Sequence, residues 1–414
     1  MNILIATLGS YGDVYPKVGL AVKLKQRGHR VTLLTNPFFQ DLARQYGINF
    51  VPIGTIEQYA QFANHPNLFD PRKSIRVFFN NLLIPSIRPA YDRLVEHMQP
   101  DDTVIVSSIS VFAARLVQEK FHIPNITMHI MPMAFKSAYE VPKNAMLSLP
   151  NWLPTSVKRF YWWAADKAVV DRMIGSELNS LRKEIGLPPV NRILTRWGHS
   201  PQMVIGLFPS WFAAPQPDWP QNTHLTGFPL FEEGEETNLA PEVQAFLDKG
   251  EPPIVFMPGS LMKYGDRFFE TAVQSCQLLG RRAIFLSRSP RQIPNNLPDN
   301  IRHFEYVPFQ QLLPWVNLLV HHGGIGTCAQ ALKAGVPQLI CPMAYDQPDN
   351  SWRLSKLGVG DWIYPKDWHE SILTEKLLTL TTSSKVIEQC QMIAQKFKKA
   401  EPLLEACKLI ESVI

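Results

Sequence analysis

Short apolar runs alternate along the chain with segments of helical spacing. Residues 2–8 ("NILIATL") form a continuous apolar run, and residues 16–28 place apolar positions three and four apart between a proline and a glycine. The same alternation continues at residues 29–35, 37–47 and 48–54. Because parallel strands covered by helices are apolar on both faces, this pattern predicts a parallel β-sheet with helices on either side.

A second series of strands and helices begins after an acidic segment that is rich in glycine and proline. The first series resumes near residue 103, becomes irregular and aromatic over residues 132–200, and closes with a strand-like run near residue 203. The segment that follows has linker composition. We predict an α/β chain with a Rossmann-like N-terminal domain, a linker, a Rossmann-like C-terminal domain and a helical tail. Their bounds are 1–228, 229–253, 254–384 and 385–414, respectively.

The composition supports this organisation and narrows the partners. A chain of 414 residues is too long for one ordinary core. The run at residues 2–8 has no basic flank, so it predicts a first strand rather than a signal peptide. A net charge of +5 does not imply a nucleic-acid partner and leaves contact with an anionic membrane surface open. Five cysteines without a CxxC pair indicate reduced thiols in a cytoplasmic protein.

A glycine-rich turn, "HHGGIGT" at residues 321–327, joins a predicted strand to a predicted helix. Free amides and the positive end of the helix dipole meet at such a point, and phosphate or diphosphate suits it best. Glycines allow the close approach of a ligand, and hydroxyl and imidazole groups can donate to phosphate oxygens. The candidate anion donors are His322, Gly323, Gly324, Gly326 and Thr327. The alternative is a tight turn in which one of the two histidines only fills space.

The first strand is followed by an acidic residue in another glycine-containing turn. Asp13 follows Gly12 at the carboxyl end of the predicted sheet, where open α/β folds hold ligands. Asp13 could cap the next helix or could serve a ligand. Neither glycine turn has GxGxxG spacing, and the second strand ends in Thr35 and Asn36, where an NAD enzyme would carry an acidic residue. Hydride transfer is therefore not expected.

Two segments together resemble the two halves of family 1 glycosyltransferases. They are "GSYGDVYP" at residues 9–16 and "YVPFQQLLP…HHGGIGTCAQALKAGVPQLICPMAYDQPDN" at residues 306–350. Their order and spacing match the family over nearly the whole chain. Residues 200–231 resemble the bacterial branch that includes the rhamnosyltransferase catalytic chain of rhamnolipid synthesis. The resemblance implies the GT-B fold, with two doubly wound Rossmann-like domains facing a central cleft.

The resemblance also implies a role for each matching position. Asp13 stands where plant members carry their catalytic histidine, which implies a general base. Tyr306 matches the aromatic residue that stacks on the pyrimidine, and Val307 matches the backbone that pairs with its edge. Asp346 and Gln347 match the pair that contacts the donor sugar, and the other positions hold the diphosphate. The full implied donor-binding set is Ser260, Tyr306, Val307, His322, Gly323, Gly324, Gly326, Thr327, Asp346 and Gln347.

The sequence departs from the plant pattern at two places. Gln330 stands where plant enzymes place a glutamate on the ribose hydroxyls, so the choice between uridine and thymidine stays open. Ser107 and Ser108 stand where plant enzymes have the aspartate that orients their histidine. An aspartate base does not need that partner, so this departure fits the bacterial branch.

Large apolar side chains in two irregular regions of the N-terminal domain predict a hydrophobic acceptor site. The candidate lining residues are Phe79, Leu83, Met131, Phe135 and Trp162. Ordinary core packing is the alternative for each of them. Residues 153–167 ("LPTSVKRFYWWAADK") mix cations with aromatic residues, which would also suit contact with a membrane surface.

We therefore predict an inverting, metal-independent glycosyltransferase. It would move rhamnose or glucose from a UDP- or dTDP-sugar to a hydroxyl of a hydrophobic acceptor, such as a 3-hydroxyacyl lipid. The chain has no Asp-x-Asp pair and no Cys/His cluster with ligand spacing, so neither a metal nor a cofactor is expected. The alternatives are a non-catalytic sugar-nucleotide-binding partner subunit, a nucleotide-sugar epimerase, and a UDP-glucosyltransferase acting on a sterol or aromatic natural product. The expected location is the cytoplasm, with peripheral contact to the inner membrane left open.

Overall fold

A computed structural model describes residues 1–144, 149–150, 152–231, 238–259 and 266–413. The chain divides into two compact units. Unit 1 comprises Met1–Pro142, Leu147–Phe231 and Glu401–Ile414, and unit 2 comprises Lys143–Met146 and Glu232–Ala400. Each unit has a parallel sheet of its own.

The strands are short, and those at the centre of each sheet are apolar and buried along their length, because helices cover the sheet. Within the described residues they are β1 Asn2–Ala6, β2 Arg30–Thr35, β3 Asn49–Pro52, β4 Thr103–Ser107, β5 Asn125–His129, β6 Met203–Gly206, β7 Thr223–Leu225, β8 Ile254–Met257, β9 Ala283–Leu286, β10 Ile301–Phe304, β11 Leu318–His321, β12 Gln338–Ile340 and β13 Gly360–Trp362.

The α-helices connect these strands and cover the sheets. In the described part of the chain they are α1 Tyr11–Gln26, α2 Gln40–Gln45, α3 Ile56–Ala63, α4 Ser74–Phe78, α5 Ile84–His97, α6 Phe112–Phe121, α7 Thr155–Ala165, α8 Asp171–Glu184, α9 Pro241–Leu247, α10 Asp266–Leu278, α11 Phe309–Leu312, α12 Ile325–Ala334, α13 Gln347–Lys356, α14 Glu370–Thr382, α15 Ser384–Gln395 and α16 Pro402–Glu411. Three π-helical segments adjoin them or stand alone, at Phe79–Leu83, Asp166–Val170 and Ile193–Trp197.

The sheet of unit 1 has the strand order β3-β2-β1-β4-β5-β6-β7, and all its strands run parallel. The direction of winding reverses between β1 and β4, where Ala6 pairs with Ser107. Ligands of doubly wound sheets bind outside the carboxyl ends of the strands at such a reversal. In unit 1 this position is occupied by the turn between β1 and α1.

The sheet of unit 2 has the order β10-β9-β8-β11-β12-β13 and is also parallel throughout. Its winding reverses between β8 and β11, where Met257 pairs with His321. Separate apolar clusters, one containing Phe256 and the other Val255, form the unit's core. Both units thus have the doubly wound arrangement, which confirms the predicted α/β fold class.

Helix α1 begins earlier than its apolar spacing indicates. The spacing places the start at Pro16, whereas the helix begins at Tyr11 and contains Pro16. The reason is a capping interaction, because the carboxylate of Asp13 accepts a hydrogen bond from the Ser10 amide at 2.9 Å. Asp13 therefore belongs to the first turn of the helix.

Two segments that the sequence pattern describes as irregular contain helices. Residues 132–200 include α7, α8 and the π-helical segment between them. The predicted linker 229–253 includes α9, whose Val243, Phe246 and Leu247 are buried in the core of unit 2. Short helices with aromatic residues on their exposed side lack the regular amphipathic pattern that would reveal them.

The predicted helical tail 385–414 divides between the units. Helix α15 packs on α12 in unit 2, and α16 packs on α1 in unit 1. Two hydrogen bonds of 2.6 and 2.7 Å join the Arg27 guanidinium to the Glu411 carboxylate, and His29 lies 2.9 Å from the same group. No helix in the described ranges is both long and apolar enough to cross a membrane. The five cysteines are free and buried.

Candidate active site

Asp13 lies at the winding reversal of unit 1, in the first turn of α1. Its Oδ2 accepts hydrogen bonds from the amide of Ser10 at 2.9 Å and from the Ser10 hydroxyl at 3.5 Å. The carboxylate packs over Gly9, whose φ is +142°, and a Cβ added there would lie 2.1 Å from Asp13 Oδ2. The side chain is half-buried, and the loss of hydration raises its pKa above the ordinary value, against the opposing effect of Lys17.

Two further strands bring polar groups to this edge of the sheet. Ser107 ends β4, and its hydroxyl donates to Asn125 at 3.0 Å, while the hydroxyls of Ser108 and Thr7 lie 2.9 Å apart. These serines are therefore engaged by neighbouring strands. Sequence reasoning missed Lys17, which is 2% exposed and lies one helical turn after Asp13. A lysine within an amphipathic helix pattern gives no sign of burial, so nothing in the pattern could have revealed it.

The two histidines of the glycine-rich turn have different roles. His321 ends β11 and is fully buried, with Nε2 3.0 Å from Gln338 Oε1. Its Nδ1 accepts a hydrogen bond from the Gly323 amide at 3.2 Å. His321 thus fastens the turn to β12, which is the space-filling alternative, and the Gly323 amide is not available to a ligand.

His322 lies against glycines on two sides. A Cβ added to Gly259 would lie 2.9 Å from its Nδ1, and one added to Gly324 would lie 2.6 Å from its Nε2. The Nδ1 atom is buried without a hydrogen-bond partner among the described residues. Burial lowers the pKa of His322 to about 4, so the ring is neutral near pH 7 and can donate one hydrogen bond.

The first turn of α12 presents unpaired backbone donors. The amides of Ile325, Gly326 and Thr327 form no hydrogen bond with any residue that the structure describes. Gly324 is the N-cap residue, and a Cβ added at Gly326 would meet no atom within 4 Å. Three amide donors, the positive end of the helix dipole and open space therefore coincide, as an anion site requires.

The Asp346–Gln347 pair begins α13 beside this turn. Asn350 Nδ2 donates to Asp346 Oδ2 at 2.7 Å and to the Gly323 carbonyl at 2.9 Å, which connects the pair to the glycine-rich turn. The side-chain oxygen of Gln347 accepts hydrogen bonds from the amides of Met343 and Ala344, at 2.8 and 3.3 Å. Gln347 can therefore offer a sugar only its amide NH₂ group.

Tyr306 and Val307 follow β10 and differ in exposure. The Tyr306 ring is 48% exposed, and the Arg288 guanidinium lies 5.5 Å from its centroid. The side chain of Val307 is buried, while its backbone N–H and C=O form no hydrogen bond within the described ranges. An accessible aromatic face next to a free peptide group is what a flat heterocycle with polar edges requires.

The predicted acceptor-lining residues, all in unit 1, fall into two groups. Phe79, Leu83 and Phe135 are at most 5% exposed and pack within the protein. Met131 and Trp162 are partly exposed, and Trp162 Nε1 donates to the Ser137 carbonyl at 2.9 Å. Ser260, the remaining predicted donor contact, lies outside the described residues. No group of three His, Cys, Asp or Glu that could hold a metal ion occurs among the residues searched, which are the described ones.

The sequence matches two family models. Residues 3–140 match the glycosyltransferase family 28 N-terminal domain, and residues 283–406 match the erythromycin biosynthesis protein CIII-like C-terminal domain. The glycosyltransferase GtfE of Amycolatopsis orientalis is 30% identical over 370 residues, which are 87% of this chain and 85% of that protein. The chain belongs to glycosyltransferase family 1. The glycosyltransferase thus moves a sugar from a nucleotide sugar.

Other similar proteins extend over the whole length of the glycosyltransferase. A sterol 3-beta-glucosyltransferase of Aspergillus terreus is 25% identical over 99% of this chain, which spans 30% of that protein. Among solved structures, the glycotransferase of kitacinnamycin has a TM-score of 0.77 at 19% identity, covering 100% of this chain and 98% of that one. The spinosyn rhamnosyltransferase SpnG complexed with thymidine diphosphate has a TM-score of 0.70 at 15% identity, covering 99% and 100%. These structures confirm the GT-B fold.

Proposed function

We propose that the enzyme is an inverting hexosyltransferase that uses a UDP- or dTDP-sugar and a hydrophobic acceptor alcohol. The observation that supports this most strongly is the row of unpaired amides at Ile325, Gly326 and Thr327, with His322 beside it. These groups would hold the donor's diphosphate. In the reaction, the acceptor oxygen forms a bond to the anomeric carbon while the bond from that carbon to the diphosphate oxygen breaks.

The leaving diphosphate needs stabilisation as its charge grows. Preorganised amide donors and a helix N-terminus provide it without rearranging during the reaction. The neutral ring of His322 adds one donor, since its pKa of about 4 leaves it uncharged near pH 7. The positive potential at α12 can thus take the place of a divalent cation. We expect activity to persist in excess EDTA, and loss of turnover that added Mg²⁺ restores would contradict metal independence.

Asp13 would accept the acceptor's hydroxyl proton as the new bond forms. An ordinary aspartate is a weak base for an alcohol, and burial brings Asp13 closer to the required range by raising its pKa. The hydrogen bonds from Ser10 would keep one carboxylate oxygen fixed and leave the other for the substrate. A positively charged transition state at the sugar allows proton transfer to occur late.

The donor base is a pyrimidine in this proposal. The exposed ring of Tyr306 would stack on it, and the free peptide group of Val307 would pair with its edge. Asp346 would accept hydrogen bonds from the sugar hydroxyls, and Gln347 would donate one from its amide nitrogen. SpnG, which shares the fold, was crystallised with thymidine diphosphate. Gln330 keeps both uridine and thymidine in consideration.

The acceptor is apolar in this proposal, with a 3-hydroxyacyl lipid as the first candidate. Met131 and Trp162 are the predicted lining residues with exposed surface, so they are the ones that can contact an acceptor. The sterol 3-beta-glucosyltransferase among the relatives supports a second candidate, a sterol or another polycyclic natural product. Both acceptors are alcohols on a large apolar body, which is the property the proposal requires.

A patch of unit 1 supports contact with a membrane surface. Large apolar side chains are exposed along α7 and beside it, at Trp152, Val157, Phe160, Trp163 and Val169. The acids of the same region point inward, because Asp166 accepts hydrogen bonds from the amides of Leu194 and Thr195, and Asp171 accepts them from those of Arg192 and Ile193. Basic residues are left outside, which suits an anionic lipid headgroup.

The membrane contact can be tested with vesicles. We expect the protein to co-sediment with vesicles that contain 30% anionic lipid, and F160S/W163S to lose most of this binding while keeping its turnover with a soluble acceptor. Equal binding of the two proteins, or no binding by the parent, would contradict the contact.

The proposed reaction can be tested with a donor screen followed by a transfer assay. Thermal shift with UDP-glucose and dTDP-rhamnose identifies the bound donor, and turnover is then measured with a 3-hydroxyacyl lipid and a sterol. We expect acceptor-dependent release of the nucleotide diphosphate and a product of inverted anomeric configuration by NMR. Donor binding without transfer or hydrolysis would favour the non-catalytic partner subunit, and retained configuration would exclude inversion.

A further inference from the structure

Lys17 is a buried cation next to the proposed base. It lies four residues after Asp13 on α1, and residues with this spacing leave an α-helix on the same face. Its side chain is only 2% exposed, although lysine is among the residues that are least often buried. Within the described residues it forms no hydrogen bond and no ion pair closer than 4 Å, so ordinary pairing does not explain its burial.

Charged and titratable groups from three elements surround this pair. Asp13 lies on the same helix and favours the protonated form of Lys17. His129 ends β5 and is buried, with a pKa well below its usual range because of burial, His199, Lys17 and Lys136, so it is neutral. Tyr59 of α3 interacts with Asp13 and is kept neutral by burial, by Tyr11 and by that carboxylate. Asp13 and Lys17 are therefore the opposite charges of this edge of the sheet.

Burial and the carboxylate act on Lys17 in opposite directions. Burial lowers the pKa of Lys17 to about 8, which leaves most of the side chain protonated at pH 7. A protonated lysine nearby favours the ionised form of a carboxylic acid, whereas burial alone favours the neutral form. An apolar side chain of similar length would avoid the cost of burying the charge. The cation is thus a burden for folding that the proposed base can use.

We propose that Lys17 is a positioning residue that keeps Asp13 ionised, and so able to accept the acceptor's proton, at neutral pH. The inference rests on the proposed function, because it assigns Lys17 a role only if Asp13 is the base. Without the ammonium group, the carboxylic acid of Asp13 would hold its proton to a higher pH. Lysine would then act on the ionisation of the base and not on the bound sugar.

The test is the dependence of kcat/KM on pH for the full-length enzyme and its variants. The acid limb of the profile reports the ionisation of the free enzyme's base. We expect K17M to move this limb upward by about one pH unit or more, to lose about tenfold in kcat/KM at pH 7, and to recover most of the loss above pH 8.5. K17R, which keeps the charge, should keep the parent's limb. K23M, which removes an exposed lysine from the same helix, is the matched control and should behave like the parent.

Thermal unfolding separates this role from a structural one. K17M should be at least as stable as the parent at pH 7, since it removes a buried charge, so its lower activity cannot come from unfolding. An acid limb equal to the parent's in K17M would overturn the inference, as would a loss of activity that does not recover at high pH. The variant D13N tests the underlying function separately. If D13N is as active as the parent, the proposed base is wrong, whereas an inactive D13N with an unshifted limb in K17M rejects only the role of Lys17.

Discussion

At the scale of single residues, the proposed site contains groups whose environment disfavours their charge. Burial raises the pKa of Asp13 and lowers that of Lys17, so ionising either group costs more in the folded protein than in the unfolded chain. Evolution retains such groups where they have a chemical use, because apolar or amide substitutes would be more stable. We therefore treat the strain in this pair as a sign of function.

This reasoning predicts that D13N is more stable than the parent protein. The folded pKa of Asp13 lies above its unfolded value, so its ionised form opposes folding once the pH exceeds the unfolded pKa near 4. An asparagine keeps an oxygen for the Ser10 amide and removes this cost. Thermal melts should show a higher Tm for D13N at pH 7 and a smaller difference at pH 4. A lower Tm for D13N at both values would contradict the prediction.

His322 gives a second prediction at this scale. A hydrogen bond to a charged group contributes about 1.5–3 kcal/mol, so H322A should bind UDP or dTDP roughly 10–100-fold more weakly and turn over more slowly. Because the pKa of His322 is about 4, nucleotide binding should not change through this residue between pH 6 and 8. Calorimetry of H322A measures the loss, and unchanged affinity would remove His322 from the diphosphate site. The variant H321A is not a suitable control, because His321 fastens the turn.

The sequence could indicate these residue types but not their partners. The match to a family places Asp13 and His322, whereas the use of the Gly323 amide by His321 depends on how β11 and β12 pair. The loop amides that occupy the Gln347 oxygen, and the burial of Lys17, likewise depend on tertiary packing. Local patterns carry no information about contacts of this kind.

At the scale of secondary-structure elements, the N-terminus of α12 is the central feature. Its glycines differ in what surrounds them, which yields a matched pair of variants. A Cβ at Gly324 would collide with His322, whereas a Cβ at Gly326 would meet no protein atom within 4 Å. The space at Gly326 is the space that the diphosphate would occupy.

We expect G326A to weaken nucleotide binding without loss of stability, since alanine is the better helix former and meets no clash in the protein itself. G324A should weaken binding and also lower the Tm. The measurements are calorimetry with UDP or dTDP and thermal unfolding. If G326A binds nucleotide as the parent does, the diphosphate does not lie at this helix.

Predicted elements were accurate where apolar runs were long and less so where capping decided the boundary. The strands at the centre of both sheets match the apolar runs, from which the fold class follows. The start of α1 at Tyr11 depends on the hydrogen bond between Ser10 and Asp13, which outweighs the proline signal at Pro16. The start of this helix determines where Asp13 lies, so the boundary matters for function.

At the scale of the whole molecule, the last helix belongs to the first unit. Glu411 of α16 binds Arg27 and His29 beside α1, and these contacts lower its pKa to about 2. Neither the apolar pattern nor the composition predicts such a pairing between the two ends of the chain, because its sequence separation is large. The helical character of the tail was predictable, and the division between α15 and α16 depends on packing.

The contact of α16 predicts a pH-dependent contribution to the stability of unit 1. The folded pKa of Glu411 lies below its unfolded value, so the stabilisation is present above about pH 4.5 and is lost as the pH falls towards 2. E411Q should lower the Tm of unit 1 by roughly 1–3 °C at pH 7, since pairs of this exposure contribute modestly. The difference from the parent should vanish near pH 2, and a difference that persists there would contradict the ion pair as its cause.

The reaction itself depends on unit 1 supplying the base and unit 2 holding the donor. The most direct measurement compares D13N with the parent enzyme for both turnover and nucleotide affinity, using the donor and acceptor found in the screen. We predict a loss of roughly 10²–10⁴ in kcat with Kd for the nucleotide diphosphate unchanged. Turnover by D13N equal to that of the parent would contradict the assignment of Asp13 as the base.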